Sequence, residues 1–206
     1  MALSLKKHYS VSKGDVAFIL SFHSFHFPIL YFALLPLGVI ISPAMPDESI
    51  SDVNRLVNLC KPTIAFTTSQ SSHKLPSHLP TVVLLDSPEF LNSGLEDRDV
   101  ISQNDGAAIF CSSVTSDPRK GTFLTHRNLI VAAATAQSYH IPSDISDQAR
   151  ALTSTPAPVS LTTRLLTAVF GSSVMMRAVL MGETLVLIES NFEIEQVLEA
   201  VDKYKG

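Results

Sequence analysis

The richest run of reactive side chains lies between Phe110 and Leu129, which reads Phe-Cys-Ser-Ser-Val-Thr-Ser-Asp-Pro-Arg-Lys-Gly-Thr-Phe-Leu-Thr-His-Arg-Asn-Leu. Ser112, Ser113, Thr115 and Ser116 are hydroxyl donors, and Lys120 is a compact positive charge on a flexible stem. Such a set can hold an anionic oxygen. The same hydroxyls also satisfy turns and helix caps, and Lys120 also reads as a solvated surface lysine, so both readings stand at this point. Thr125 is placed to cap the helix that follows, with His126 in its first turn. His23 and His26 are spaced as metal ligands but have no evident third partner, so no metal site is expected. Cys60 and Cys111 lie far apart with no CxxC or histidine at metal spacing, which suggests two ordinary buried thiols in a reducing compartment. Met175 and Met176 belong to an apolar helix and read as core.

The elements that must position these groups alternate between strand and helix. Val16–Leu20 is continuously apolar, as in a strand covered on both faces. Phe25–Leu37 has helical length and is closed by Pro36 and Gly38. Val39–Ser42 is a second strand. Ser49–Cys60 puts Ile50, Val53, Leu56, Val57 and Cys60 on one helical face before Pro62 stops it. Thr63–Thr67 and Thr81–Leu85 read as strands, with a short polar helix over Ser69–Leu75 between them. A polar stretch from Glu89 to Asp105 leads to the strand Ala107–Cys111, the loop Ser112–Gly121 and a helix through Gln137. Beyond it come a strand Ala151–Thr155, a long apolar helix Leu161–Leu180, a strand Thr184–Ile188 and an amphipathic helix Glu193–Tyr204. The alternation predicts an α/β fold of mainly parallel sheets with helices on both faces.

Composition narrows the class. The 206 residues are 46% hydrophobic and 17% charged, which favours a buried core over disorder. A net charge of −4 without a basic stripe argues against a nucleic-acid partner. The apolar stretch Val16–Ser42 is interrupted by His23, His26, Pro28 and Pro36-Leu37-Gly38, so no uninterrupted run reaches the ~18–20 residues of a spanning helix. Neither a signal peptide nor a membrane span is expected.

Laid on the segment Ser112–Gly121 without a gap, the pattern SSGTTGxxKG matches at Ser112, Ser113, Thr115, Lys120 and Gly121, with Ser116 as a conservative swap. The loop thus resembles the phosphate-binding signature of adenylate-forming enzymes. Its tail Thr125-His126-Arg127-Asn128-Leu129 is similar to that of plant 4-coumarate–CoA ligase-like proteins. Lys13-Gly14-Asp15, Leu37–Ala44, Lys61–Phe66 and Asp86–Phe90 resemble further segments of the same family. The resemblance implies AMP-forming ligation of a carboxylic acid to CoA, with a hydroxycinnamate such as 4-coumarate (phenylpropanoid metabolism) or a fatty, jasmonate-precursor-like acid as substrate. It implies ATP, Mg2+ and CoA as cofactors, and Ser112, Ser113, Val114, Thr115, Ser116 and Lys120 as the nucleotide-binding positions. Family members are cytosolic or peroxisomal, and Lys203-Tyr204-Lys205-Gly206 is no peroxisomal address.

Against this pattern the chain departs at four places. Val114 and Asp117 replace the two glycines of the signature. A β-branched residue held at positive φ costs on the order of 1–2 kcal/mol. A carboxylate ~4 Å from a phosphate charge costs about 4 kcal/mol at an effective dielectric of ~20. Val159 stands in Thr155-Pro156-Ala157-Pro158-Val159-Ser160-Leu161, where the family's turn carries a histidine that orients the carboxylate, so no catalytic residue is assigned. Leu180 takes the place of a basic residue that contacts CoA. The expectation is a part of the family's N-terminal domain, with sub-parts about 1–88 and 106–206, without the C-terminal domain and catalytically impaired. The competing expectation is a non-catalytic binding module that self-associates through exposed apolar surface.

Overall fold

The computed structural model describes residues 5, 9–22, 24–87, 90, 100–111, 120–138, 159–163, 165–188 and 193–204. They fall into two compact units, 1–127 and 128–206.

The first unit is built on a six-stranded sheet of order β4-β3-β1-β2-β5-β6. Its centre, β1 (Val16–Leu20), pairs in parallel with β2 (Ile40–Ala44) on one side and β3 (Ile64–Thr67) on the other. β4 (Val82–Leu84) extends the sheet beyond β3, and β5 (Gly106–Cys111) extends it beyond β2, both in parallel. Continuous apolar sequence predicted burial on both faces, and Ala17, Phe18, Ile19 and Leu20 are all at 0% exposure. Phe18 and Leu20 share one face and pack with Ala44, Ala65, Val53, Leu56 and Val57.

The crossovers follow the expected helices. α1 (His26–Leu34) buries Phe27, Leu30, Tyr31 and Leu34, and a 3-10 turn over Leu35–Leu37 continues it. Gly38 ends that turn at φ 67°, a left-handed conformation that glycine adopts without penalty. α2 (Ile50–Cys60) begins at Ser49, whose hydroxyl accepts from the Asp52 backbone N–H at 3.1 Å. It stops at Lys61 with Pro62 behind it. The expected polar helix over Ser69–Leu75 is a single 3-10 turn, Ser72–Lys74. β2 runs two residues further than the sequence suggested, through Pro43; its described pairing with β5 lies at Ile41, ahead of the proline's missing N–H.

Two expectations need correction. Gly121–Thr125 forms a strand, β6, antiparallel to β5, where the sequence reading had a loop running straight into a helix. Phe123 and its β-favouring neighbours complete the sheet edge there. In the second unit, the predicted helix Leu161–Leu180 is divided. Its first residues join β7 (Val159–Thr162), which pairs in parallel with β8 (Thr184–Leu187), and helix begins only at α4 (Val169–Met181). Strand pairing outweighed apolar periodicity. The turn between them is held by Ser172 Oγ donating to the Leu166 carbonyl at 2.7 Å. α3 (His126–Ser138) and α5 (Ile194–Tyr204) lie where expected. The predicted strand Ala151–Thr155 is outside the described residues. Among the described residues, no helix is long and apolar enough to cross a membrane.

Candidate functional site

The hydroxyl-rich segment is flanked by a closed stem. Cys111, the last residue of β5, is the antiparallel partner of Gly121, the first of β6, so the chain leaves and re-enters the sheet on one rung. β5 is parallel to β2, so the Cys111 end of this stem lies at the carboxyl ends of the parallel strands, the edge where α/β sheets present ligand sites. Ser112, Ser113, Val114, Thr115, Ser116 and Asp117 lie outside the described residues. Lys120 is described and exposed at the foot of the loop. Gly121 leaves little room for a side chain on this face. A Cβ there would come within 3.2 Å of Ile109 Cγ2 and 3.4 Å of Leu59 Cδ2, so the end of α2 closes against the stem.

The same edge holds further polar groups, most of them engaged in fixing the loops. Asp86 receives the Ser69 backbone N–H at 3.0 Å and the Ser69 hydroxyl at 3.1 Å. Desolvation pushes the exposed Asp86 carboxyl up, but those donors outweigh it and hold it below the usual carboxylate range, with His26 adding a smaller pull. His26 opens α1 with its Nε2 buried and without a hydrogen-bond partner among the described residues. Lys74 donates to the carbonyls of Pro46 and Glu48, clamping the turn after β2. His23, the other half of the histidine pair, lies outside the described residues. Among the described residues, no three His, Cys, Asp or Glu side chains gather as metal ligands would.

Sequence distance concealed one pairing. Cys60, the last residue of α2, and Cys111, at the root of the loop, have their sulfurs 4.0 Å apart, and both are reduced. Ser42 Oγ lies 3.0 Å from Cys60 Sγ. The hydrogen bond with Cys111 lowers the Cys60 thiol most; burial pushes it up, Ser42 lowers it again, and the balance brings it to about 7. The carbonyl end of a helix disfavours an anion, so these two contacts must supply the stabilisation. No spacing rule could have found this pair, because three separate elements bring it together.

At the opposite edge, Lys13 Nζ bridges the Asp105 carboxylate at 2.7 Å and the Val100 carbonyl at 3.0 Å. The backbone N–H of His126 donates to the Asp105 carbonyl at 3.0 Å, tying the start of α3 to the start of β5. Thr125 ends β6 immediately before this first helical residue, and His126 stands in the first turn as expected. Burial lowers the His126 imidazole below its ordinary value, opposed by Asp105 and assisted by Lys13. This cluster pins the base of the β5–β6 pair and lies away from the loop.

In the second unit, Val159 is the first residue of β7, half-buried and paired with Thr184, so it sits in a strand and not in a turn. Leu180, in the last turn of α4, is 51% exposed. Met175 is buried as expected, and Met176 is half-buried. The unit's principal charged group was not foreseen. Arg177 Nη1 donates to Glu183 Oε1 at 2.7 Å, and Arg177 Nη2 reaches Ser160 Oγ at 3.1 Å. Ser160 in turn donates to Glu183 Oε2 at 2.7 Å. This triangle ties α4 to β7.

Comparison with known proteins agrees with the architecture. The family model of the AMP-binding enzymes matches residues 1–206. 4-Coumarate–CoA ligase-like 9 of Arabidopsis thaliana is 41% identical over 216 residues, covering 100% of this chain and 37% of its own length. 4-Coumarate–CoA ligase-like 5 of Oryza sativa subsp. japonica is 33% identical over 201 residues, covering 93% and 36%. The chain therefore spans little more than a third of the length of these relatives. Among solved structures, the N-terminal domain of FACL13 from Mycobacterium tuberculosis superposes with a TM-score of 0.81 at 17% identity, covering 98% of this chain and 51% of that one. The o-succinylbenzoate CoA synthetase MenE of Bacillus subtilis, in complex with ATP and magnesium ion, gives 0.74 at 18% identity, with 98% and 51% coverage. The match of the family model over residues 1–206, together with relatives 41% and 33% identical over nearly the whole chain, places the chain in the AMP-binding enzyme family.

Proposed function

We propose that this chain is the nucleotide-facing part of an AMP-forming carboxylic acid–CoA ligase whose adenylation step is impaired by its own residues. The observation that supports it best is the loop stem. The Ser/Thr/Lys segment leaves and returns on the Cys111–Gly121 rung at the carboxyl edge of the parallel sheet. Backbone N–H groups and the hydroxyls of Ser112, Ser113, Thr115 and Ser116 would donate to ATP phosphates, with Lys120 and Mg2+ offsetting their charge. The acid would be a hydroxycinnamate or a fatty, jasmonate-precursor-like acid, and CoA the acceptor. Three substitutions support the impairment. Asp117 brings negative charge to the phosphate loop, at a cost of about 4 kcal/mol at ~4 Å and an effective dielectric of ~20. Val159 can neither donate nor accept a hydrogen bond. Leu180 is uncharged where the family contacts CoA.

Calorimetric titration with Mg-ATP tests this reading, alongside Lys120→Ala and Asp117→Gly. Weak saturable binding that Lys120→Ala abolishes and Asp117→Gly strengthens at least tenfold is expected. No heat up to millimolar ATP from either the folded protein or Asp117→Gly would refute nucleotide binding.

A second reading has its own observation. α5 leaves Ile194 and Leu198 each 61% exposed and Val201 50% exposed, an apolar stripe at helical spacing with nothing described over it. Self-association through this stripe would give one discrete species of twice the monomer mass in sedimentation, dispersed by Leu198→Glu. A polydisperse distribution would count against it.

A further inference from the structure

We propose that Cys60 and Cys111 form a thiol-oxidation site, closed to a reversible disulfide by glutathione disulfide or a similar low-molecular-weight disulfide. The geometry carries this. Two reduced sulfurs stand 4.0 Å apart, so forming a bond of ~2.05 Å requires about 2 Å of approach. The two thiols differ in access. Cys60 is 6% exposed and shielded by α2 and β2, whereas Cys111 is half-buried at the end of β5. Ser42 Oγ, buried beside Cys60 at 3.0 Å, can donate to its sulfur and hold it as a thiolate.

These positions assign an order to the exchange. The Cys111 thiolate attacks one sulfur of glutathione disulfide and displaces glutathione thiolate, leaving a mixed disulfide on Cys111. The Cys60 thiolate then attacks Cys111 Sγ, breaks that bond and displaces the second glutathione thiolate. The two protons leave the protein thiols and end on the two glutathiones, so two thiols are oxidised and one disulfide is reduced. The product bond would tie the end of α2 to the residue immediately before Ser112. The proposal does not depend on nucleotide binding there.

The test is native oxidation of the full chain in glutathione redox buffers, quenched with acid and read by intact mass and non-reducing peptide mapping. The wild type is expected to lose two hydrogens and retain no glutathione, with the Cys60 and Cys111 peptides linked. Cys60→Ser is expected to retain one glutathione, on Cys111, because nothing resolves it. Ser42→Ala, which keeps both thiols, is expected to accumulate the mixed disulfide transiently. In the folded chain, half-oxidation is expected at a glutathione disulfide level at least tenfold lower than in urea. A wild type that stays reduced while folded, or that keeps glutathione as Cys60→Ser does, would overturn the proposal. So would equal oxidation in folded and unfolded chains.

Discussion

Replacing Arg177 by methionine isolates the role of the charged triangle in the second unit. Methionine keeps the helix propensity and most of the side-chain volume, so the change removes mainly the guanidinium. Glu183 is positioned independently of Arg177. Gly182, left-handed at φ 66°, closes α4, and the Glu183 N–H then donates to the Ala178 carbonyl at 2.8 Å. The carboxylate, 5% exposed, would therefore remain in place with Ser160 as its described donor. Breaking one side of such a pair costs about 3–5 kcal/mol. With Arg177 itself at 18% exposure, the lower end applies. Removing both charges, as Arg177→Met/Glu183→Met, should cost clearly less than the single change, since no charge is then left buried. Hydrogen exchange read by mass spectrometry on the amides of β7, β8 and α4 is the suitable assay, because the protein has no tryptophan for fluorescence. The expected result is a loss of about 3 kcal/mol of protection in the single variant, partly recovered in the double one. A loss below about 1 kcal/mol, or a double variant no better than the single, would refute the claim that this pair holds the unit together.

Two further outcomes follow from local geometry. At Gly171, an alanine Cβ would lie 2.0 Å from the Leu165 carbonyl oxygen, which is backbone and cannot swing away. Gly171→Ala should therefore cost at least about 3 kcal/mol, whereas Gly182→Ala, with open space and only its left-handed φ to strain, should cost about 1–2 kcal/mol; urea denaturation of the two variants checks the ranking. His126 has a folded-state value below its unfolded one because burial disfavours the imidazolium. The unfolded chain then binds the extra proton, so the stabilisation is present above about pH 6.5 and is lost as pH falls through the lower folded value. Thermal melts between pH 7.5 and 5 should show a decline that His126→Asn flattens, and an unchanged slope would reject the assignment.

Much of the fold was legible in the sequence because burial on both faces writes itself as an unbroken apolar run. Val16–Leu20 could be bounded to the residue for that reason, and Ser49 with Pro62 marked the ends of α2 through cap and stop chemistry. The segment Ser112–Gly121 stood out because its residue types recur at fixed spacing. Other features depended on partners distant in the chain. β6 looked like loop because only pairing with β5 makes a strand of Gly121–Thr125. Leu161 and Thr162 looked helical until β8 supplied a neighbour. Arg177 and Glu183 meet through the turn at Gly182, and Cys60 meets Cys111 because α2 packs its last turn against β5. Sequence alone thus determined the family, most of the strand–helix order of the described residues and the residue types in the segment Ser112–Gly121. Tertiary structure decided which of those groups stand within bonding distance, because that depends on through-space distance, and spacing along the chain reports it only within a single helix or strand.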